Sequence, residues 1–217
     1  MSKFNTYAKR LDTIAKEAFK EYREKEAAYK RAEQRAKEYQ QRGGVVNAEY
    51  AAKSARAQAD LYDARAAFEN ARRTFLEKPG TSIKAVRSEL VTAVNTAFSV
   101  DPKQLDGNTL ELLKSGIMDS GEYAKLLREE AAAGNATMVR MIGKYANDAA
   151  AEMADKYGMN DARAAELRAV AYQSRAYTGS VYVENYDVIT DVFNRCTRNP
   201  VLIDKWDDLT REMVENF

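Results

Sequence analysis

The sequence contains no histidine. That removes the commonest general base near neutral pH, the usual partner of a serine or cysteine nucleophile, and the commonest metal ligand. Without histidine no H-E-x-x-H motif is possible, and the single cysteine, Cys196, rules out an internal disulfide framework and any C-x-x-C motif and suits a reducing compartment. Proline (three) and glycine (ten) are scarce for 217 residues. No apolar run approaches the roughly 18–20 residues that span a bilayer. The opening stretch MSKFNTYAKRLD has no hydrophobic segment of signal-peptide length. The expectation is a soluble protein of the bacterial cytoplasm or of a virion assembled from an intracellular pool, with no membrane partner.

What is present is charge and helix-forming residues. Low Pro and Gly with abundant Ala, Glu, Lys and Arg is the composition of long helices. The 34 basic and 33 acidic residues nearly balance, but unevenly along the chain. Residues 1–78 carry 18 basic and 12 acidic side chains, net +6, and residues 79–217 carry 16 and 21, net −5. A basic first part joined to an acidic second part invites contact between copies or with charged partners.

In the first part, Phe4, Tyr7, Leu11, Ile14 and Ala18 follow a 3-4-3-4 spacing, one stripe of a helix. The stripe jumps four residues to Tyr22 and resumes through Tyr29, Ala32, Ala36 and Tyr39, a stutter in coiled-coil terms. After Gly43-Gly44, Tyr50, Ser54, Ala57, Leu61, Ala64, Phe68, Ala71 and Phe75 keep a seven-residue repeat. Ala51, Ala55 and Tyr62 are expected to widen that face, with Gln58 interrupting the row. The glycines allow the left-handed backbone that ends a helix, and Asn47 is a suitable N-cap for the next. The expectation is a long antiparallel helical hairpin over 1–78, a coiled-coil-like arm with a seam of small residues and occasional aromatics.

Lys78-Pro79-Gly80 is the strongest break in the sequence. Beyond it, Thr81 or Ser82 is expected to cap a third helix to about Phe98. Asp101-Pro102 should start a short helical turn, and Asn108 and Asp119 should open capping boxes. Asn135 should cap a helix ending near Gly158, and Asn160 another reaching about Tyr177. Val181-Tyr182-Val183 reads as a possible short strand with no second strand to pair with it. Helices near 184–197 and 201–215 complete a compact bundle of short helices over 79–217. The fold class expected is therefore all-α, an arm followed by a bundle.

Chemistry is sparse. No phosphate-binding glycine loop of either common type occurs. Cys196 lies near Arg195 and Arg198, which could favour a thiolate, but lacks a histidine and reads as a helix residue facing the interior. Glu129-Glu130 and Asp207-Asp208 are adjacent, so on a helix each pair diverges where acid–base or metal chemistry needs convergence. No catalytic, cofactor-binding or metal site is expected. Lys30, Arg31, Arg35, Lys37 and Arg42 form a basic patch around Tyr29 and Tyr39, a pattern that can stack bases and meet phosphates. Glu33 and Glu38 interrupt it, which favours a solvated helical face. Tyr29, Tyr39, Tyr62 and Trp206 are the candidate interaction residues, because large aromatics carry much of the energy of an interface.

The stretch LELLKSGIMDSGEYAKLLREEAAAGNATMVRMIGKYA, residues 110–146, resembles a segment of small helical proteins encoded in head-assembly regions of tailed phages and prophages. The resemblance rests on Leu112, Leu113, Ser115, Gly116, Thr137, Met138, Arg140, Ile142, Tyr145 and Ala146 and covers about a sixth of the chain. It implies a phage or prophage origin and a non-enzymatic role in virion structure or assembly, with self-association or virion components as partners. The other reading is a phage-encoded binding module or inhibitor that acts on a host protein or nucleic acid.

Overall fold

The computed structural model describes residues 3–41, 47–215 and 217. Among them the chain is all-α, with no strand. The helices are α1 (Asn5–Gln41), α2 (Ala48–Ala97), α3 (Gly107–Ser115), α4 (Ser120–Ala132), α5 (Ala136–Tyr157), α6 (Ala162–Tyr177), α7 (Ser180–Arg198) and α8 (Trp206–Glu215). Short 3-10 turns cover Pro102–Gln104 and Pro200–Lys205. Two compact units result: Met1–Arg87 with Val188–Phe217, and Ser88–Asp187.

In the first unit every position of the seven-residue repeat on α2, from Tyr50 to Phe75, is buried or half-buried. Ring pairs join α2 to α1 in antiparallel order. Tyr39 meets Tyr50 at 5.5 Å, Tyr29 stacks on Phe68 at 5.6 Å, and Tyr22 stacks on Phe75 at 4.7 Å. The flanking row differs from expectation: Ala51, Ala55 and Tyr62 stand in solvent. Among the described residues nothing covers that second row, which stays in solvent. The expected ends at Gly43 and Gly44 lie outside the described residues.

The first half of α1 carries a second buried row that the single-stripe reading omits: Ala8, Ala15 and Phe19 beside Phe4 and Leu11. Residues 188–217 cover it. Phe19 packs on Phe193 at 5.7 Å and on Trp206 at 5.2 Å, with Phe75 completing the cluster. Burying each of these side chains favours the folded state by about 1.5–3 kcal/mol. The last helices therefore belong with α1 rather than with the bundle expected over 79–217.

The break expected at Lys78-Pro79-Gly80 is corrected: α2 continues through Pro79, so position 78/79 falls inside a helix. An interior proline removes one hydrogen bond and crowds the preceding turn. Here Phe75 on one side and Ile83 and Val86 on the other are all buried, and packing of an apolar face outweighs local propensity.

In the second unit, α5 and α6 form the centre, with α4 packed on both. The core is Leu113, Tyr123, Leu127, Met138, Val139, Ile142, Ala146, Ala150, Leu167 and Val170. Asp119 and Glu122 form the expected capping box of α4, and Asn135 caps α5 through Met138 N–H. Two caps shift. Asp106, not Asn108, accepts from Asn108 and Thr109 N–H at the start of α3, and Asp161, not Asn160, caps α6. An ionised carboxylate is the stronger acceptor for these orphan donors. Residues 181–183 are helical, not a strand. Gly179, at φ +76°, turns the chain from α6 into α7, and a Cβ there would lie 2.4 Å from the Phe98 ring.

Candidate binding surfaces

Three of the four candidate interaction aromatics are spent on packing within the first unit. Tyr29 and Tyr39 are half-buried against Phe68 and Tyr50. Trp206 is 2% exposed and donates its indole N–H to Asp12. Tyr62 alone among them faces solvent, at 75% exposure. The four do not form one surface.

The basic patch of α1 is partly neutralised by its own helix. Lys30 pairs with Glu26 at 2.9 Å and Lys37 with Glu33 at 3.1 Å, both one turn back. Arg31 and Arg35 are exposed, and Arg42 lies outside the described residues. Such exposed pairs contribute a few tenths of a kcal/mol and suit a solvated face.

The groups considered for chemistry do not converge. Cys196 is fully buried, and burial pushes its thiol above the ordinary range, with Arg195 only partly opposing. The proximity of arginine thus does not produce a thiolate. Glu130 accepts from the Asn135 amide at 2.8 Å while Glu129 faces Lys125, and Asp207 pairs with Lys16 at 2.8 Å. Among the described residues no group of three His, Cys, Asp or Glu side chains is placed to hold a metal ion. No helix over those residues is long and apolar enough to cross a membrane.

A different feature emerges between α5 and α6. These helices approach so closely that a Cβ on Gly143 would lie 1.9 Å from Ser174 Oγ. Beside this contact opens a cleft of about 590 Å³, lined by Arg140, Lys144 and Asn147 of α5 and by Arg168, Tyr172 and Arg175 of α6. No carboxylate is in the lining. Residues 88–187 hold ten basic and fifteen acidic side chains, so four of the ten gather in one groove of an acidic unit. The cations are held in two ways. Arg140 donates to the Phe98 carbonyl at 3.0 Å and Arg168 to the Met159 carbonyl at 3.2 Å. Lys144 pairs with Asp148 at 2.7 Å, and Arg175 pairs with Glu184. Arg140 Nε is buried and makes no hydrogen bond.

Reading the sequence by net charge misses this groove, because the average over residues 79–217 is acidic. A signal was nevertheless present. Arg140 and Lys144 are one turn apart, Arg168 and Arg175 two turns apart, and the small residues Gly143 and Ser174 lie within these spans. No protein-family model, curated protein or solved structure matches the chain.

Proposed function

We propose that this is a non-catalytic helical protein of phage or prophage origin, acting through protein–protein contacts in virion structure or assembly. The observation that carries the reading is the outer face of α2. Ala51, Ala55, Ala59, Tyr62 and Ala66 follow one helical row and are all exposed, although the opposite row is engaged with α1. Small residues around a single large aromatic allow a neighbouring helix to come close and seat the ring. The resemblance of residues 110–146 to proteins of phage head-assembly regions supports the same reading. The partner is a second copy or another virion component.

The test is light scattering coupled to size exclusion, with the wild-type chain and Tyr62→Ser compared alone and in pull-downs from induced or infected cells. The reading expects self-association or capture of a virion component, weakened in the variant. A strict monomer that retains no virion component would sink it. A phage-encoded binding module directed at a host protein or nucleic acid is the second reading, favoured by the basic groove between α5 and α6.

A further inference from the structure

We propose that the groove between α5 and α6 is a binding site for the phosphate backbone of single-stranded nucleic acid. This goes beyond the protein-contact role assigned to α2 and lies in the other unit.

The first argument is charge. Arg140 and Arg168 are anchored by neutral main-chain carbonyls. Those hydrogen bonds fix the guanidinium planes and leave their positive charge without a carboxylate. Lys144 and Arg175 do have carboxylates, Asp148 and Glu184, but both cations are exposed, and exposed pairs exchange partners at little cost. Four cations thus line a cleft with no acid in its walls, inside a unit whose net charge is −5. Arg140 and Arg168, held by carbonyls alone, leave positive charge there that an anionic ligand would neutralise.

The second argument is the unmet donor. Arg140 Nε is buried without an acceptor. Buried polar groups are nearly always paired, so each exception calls for a cause. An anion seated on the Arg140 side of the cleft would supply acceptor oxygens beside this unmet donor.

The third argument is shape and chemistry together. The cations on α6 are seven residues apart, roughly 10 Å along the helix at 1.5 Å per residue. A chain of phosphates spans such a distance where a single ion does not. Three of the four cations are arginines, whose planar forks match phosphate oxygens in pairs. Tyr172, 59% exposed, stands in the cleft wall on the same helix face as Arg168 and Arg175. An exposed ring among guanidiniums is a stacking platform for a base, which an acidic peptide would not use.

The experiment is fluorescence anisotropy with a labelled oligothymidine, titrated from about 50 to 200 mM salt. Two variants are paired. Arg140→Gln/Arg168→Gln removes the carbonyl-anchored cations, and Lys144→Gln/Arg175→Gln changes only exposed side chains and keeps the fold, as circular dichroism and melting will report. The site expects salt-dependent binding, with a slope near −0.7 per phosphate contacted. Each double variant should weaken binding at least tenfold and flatten the slope by roughly 1.4, two contacts at about 0.7 each. Tyr172→Ala should weaken it about 5- to 150-fold with the slope unchanged. Lys30→Gln/Lys37→Gln on α1 should have no effect. Competition with inorganic phosphate, unlabelled oligonucleotide and polyglutamate separates the sources, and the oligonucleotide should displace best. Absence of salt-dependent binding, equal binding by the folded Lys144/Arg175 variant, or better displacement by phosphate or polyglutamate would overturn the proposal. A Tyr62→Ser chain that no longer self-associates but still binds the oligonucleotide keeps the two readings apart.

Discussion

The indole N–H of Trp206 donates to Asp12 Oδ1 at 2.7 Å, tying α8 to α1 across 194 residues of chain. The same ring packs edge-on against Phe19 at 5.2 Å. Trp206→Ala removes both and leaves a cavity, so it should lower stability by about 3–5 kcal/mol. Asp12→Ala leaves the buried N–H unpaired and should cost about 1–3 kcal/mol. Denaturant unfolding followed by far-ultraviolet circular dichroism measures each. A loss under 1 kcal/mol for Trp206→Ala would show that α8 does not cover α1 in solution.

The α5–α6 crossing offers a sharper test. Gly143→Ala places a methyl group into Ser174, both at Oγ and at Cβ, which lie 1.9 and 2.6 Å from the added atom. The Ser174 side chain sits on an α-helix and cannot swing its Cβ away, so the helices must separate, at about 1–3 kcal/mol. Ser174→Gly alone should also destabilise, through helix propensity. In the double variant the two losses should not add, because the clash is gone. A double-mutant cycle with no coupling would contradict the close approach.

How much of this was legible beforehand varies by element. The seam from Tyr50 to Phe75 was readable because a seven-residue repeat points one way along a whole helix. The second buried row of α1, Ala8, Ala15 and Phe19, was not. Its cover comes from Phe193 and Trp206, and local periodicity carries no information about a partner so distant in sequence. Pro79 misled because a proline signals a break only where packing does not override it, and Phe75, Ile83 and Val86 do. The groove is not legible locally because its charges come from two helices, which meet through the shared core and the close Gly143–Ser174 approach.

Acid should loosen the contact between α1 and residues 200–205. Glu26 accepts from Lys30 and then from Arg23, and these bonds hold its carboxyl below the ordinary 4.5. Arg23 in turn bonds Asp204 at 2.9 Å and the Pro200 carbonyl at 3.1 Å. A carboxyl with a depressed folded-state value stabilises above its unfolded value and loses that contribution as the pH falls through the folded one. The gain is therefore complete above about pH 4.5 and fades below it. Glu26 and Arg23 are half-buried while Lys30 and Asp204 are exposed, so screening keeps the effect below about 1 kcal/mol. The stability difference between wild type and Glu26→Gln, measured from pH 7 to 3, should shrink to nothing at the acid end. A difference that grows on acidification would reverse the sign and refute the pairing.

Pro79 lies inside α2 with no N–H to offer the turn before it. Pro79→Ala should restore that hydrogen bond and raise stability by about 1–3 kcal/mol. Thermal melting of the variant provides the measurement. A lower melting temperature would mean that the bend imposed by proline is required to bring Phe75 and Ile83 onto their neighbours.

The first unit is discontinuous, and this bears on its birth at the ribosome. Phe19 is synthesised near the outset, yet the rings that pack on it, Phe193 and Trp206, emerge only after the whole of 88–187. During that interval the leading helix displays a greasy edge to solvent, where chaperones and proteases compete for it. A chain that ends between residues 188 and 192 would hold all of the second unit while α1 stays unsheltered, so a stop codon there should be nearly as damaging as an early one.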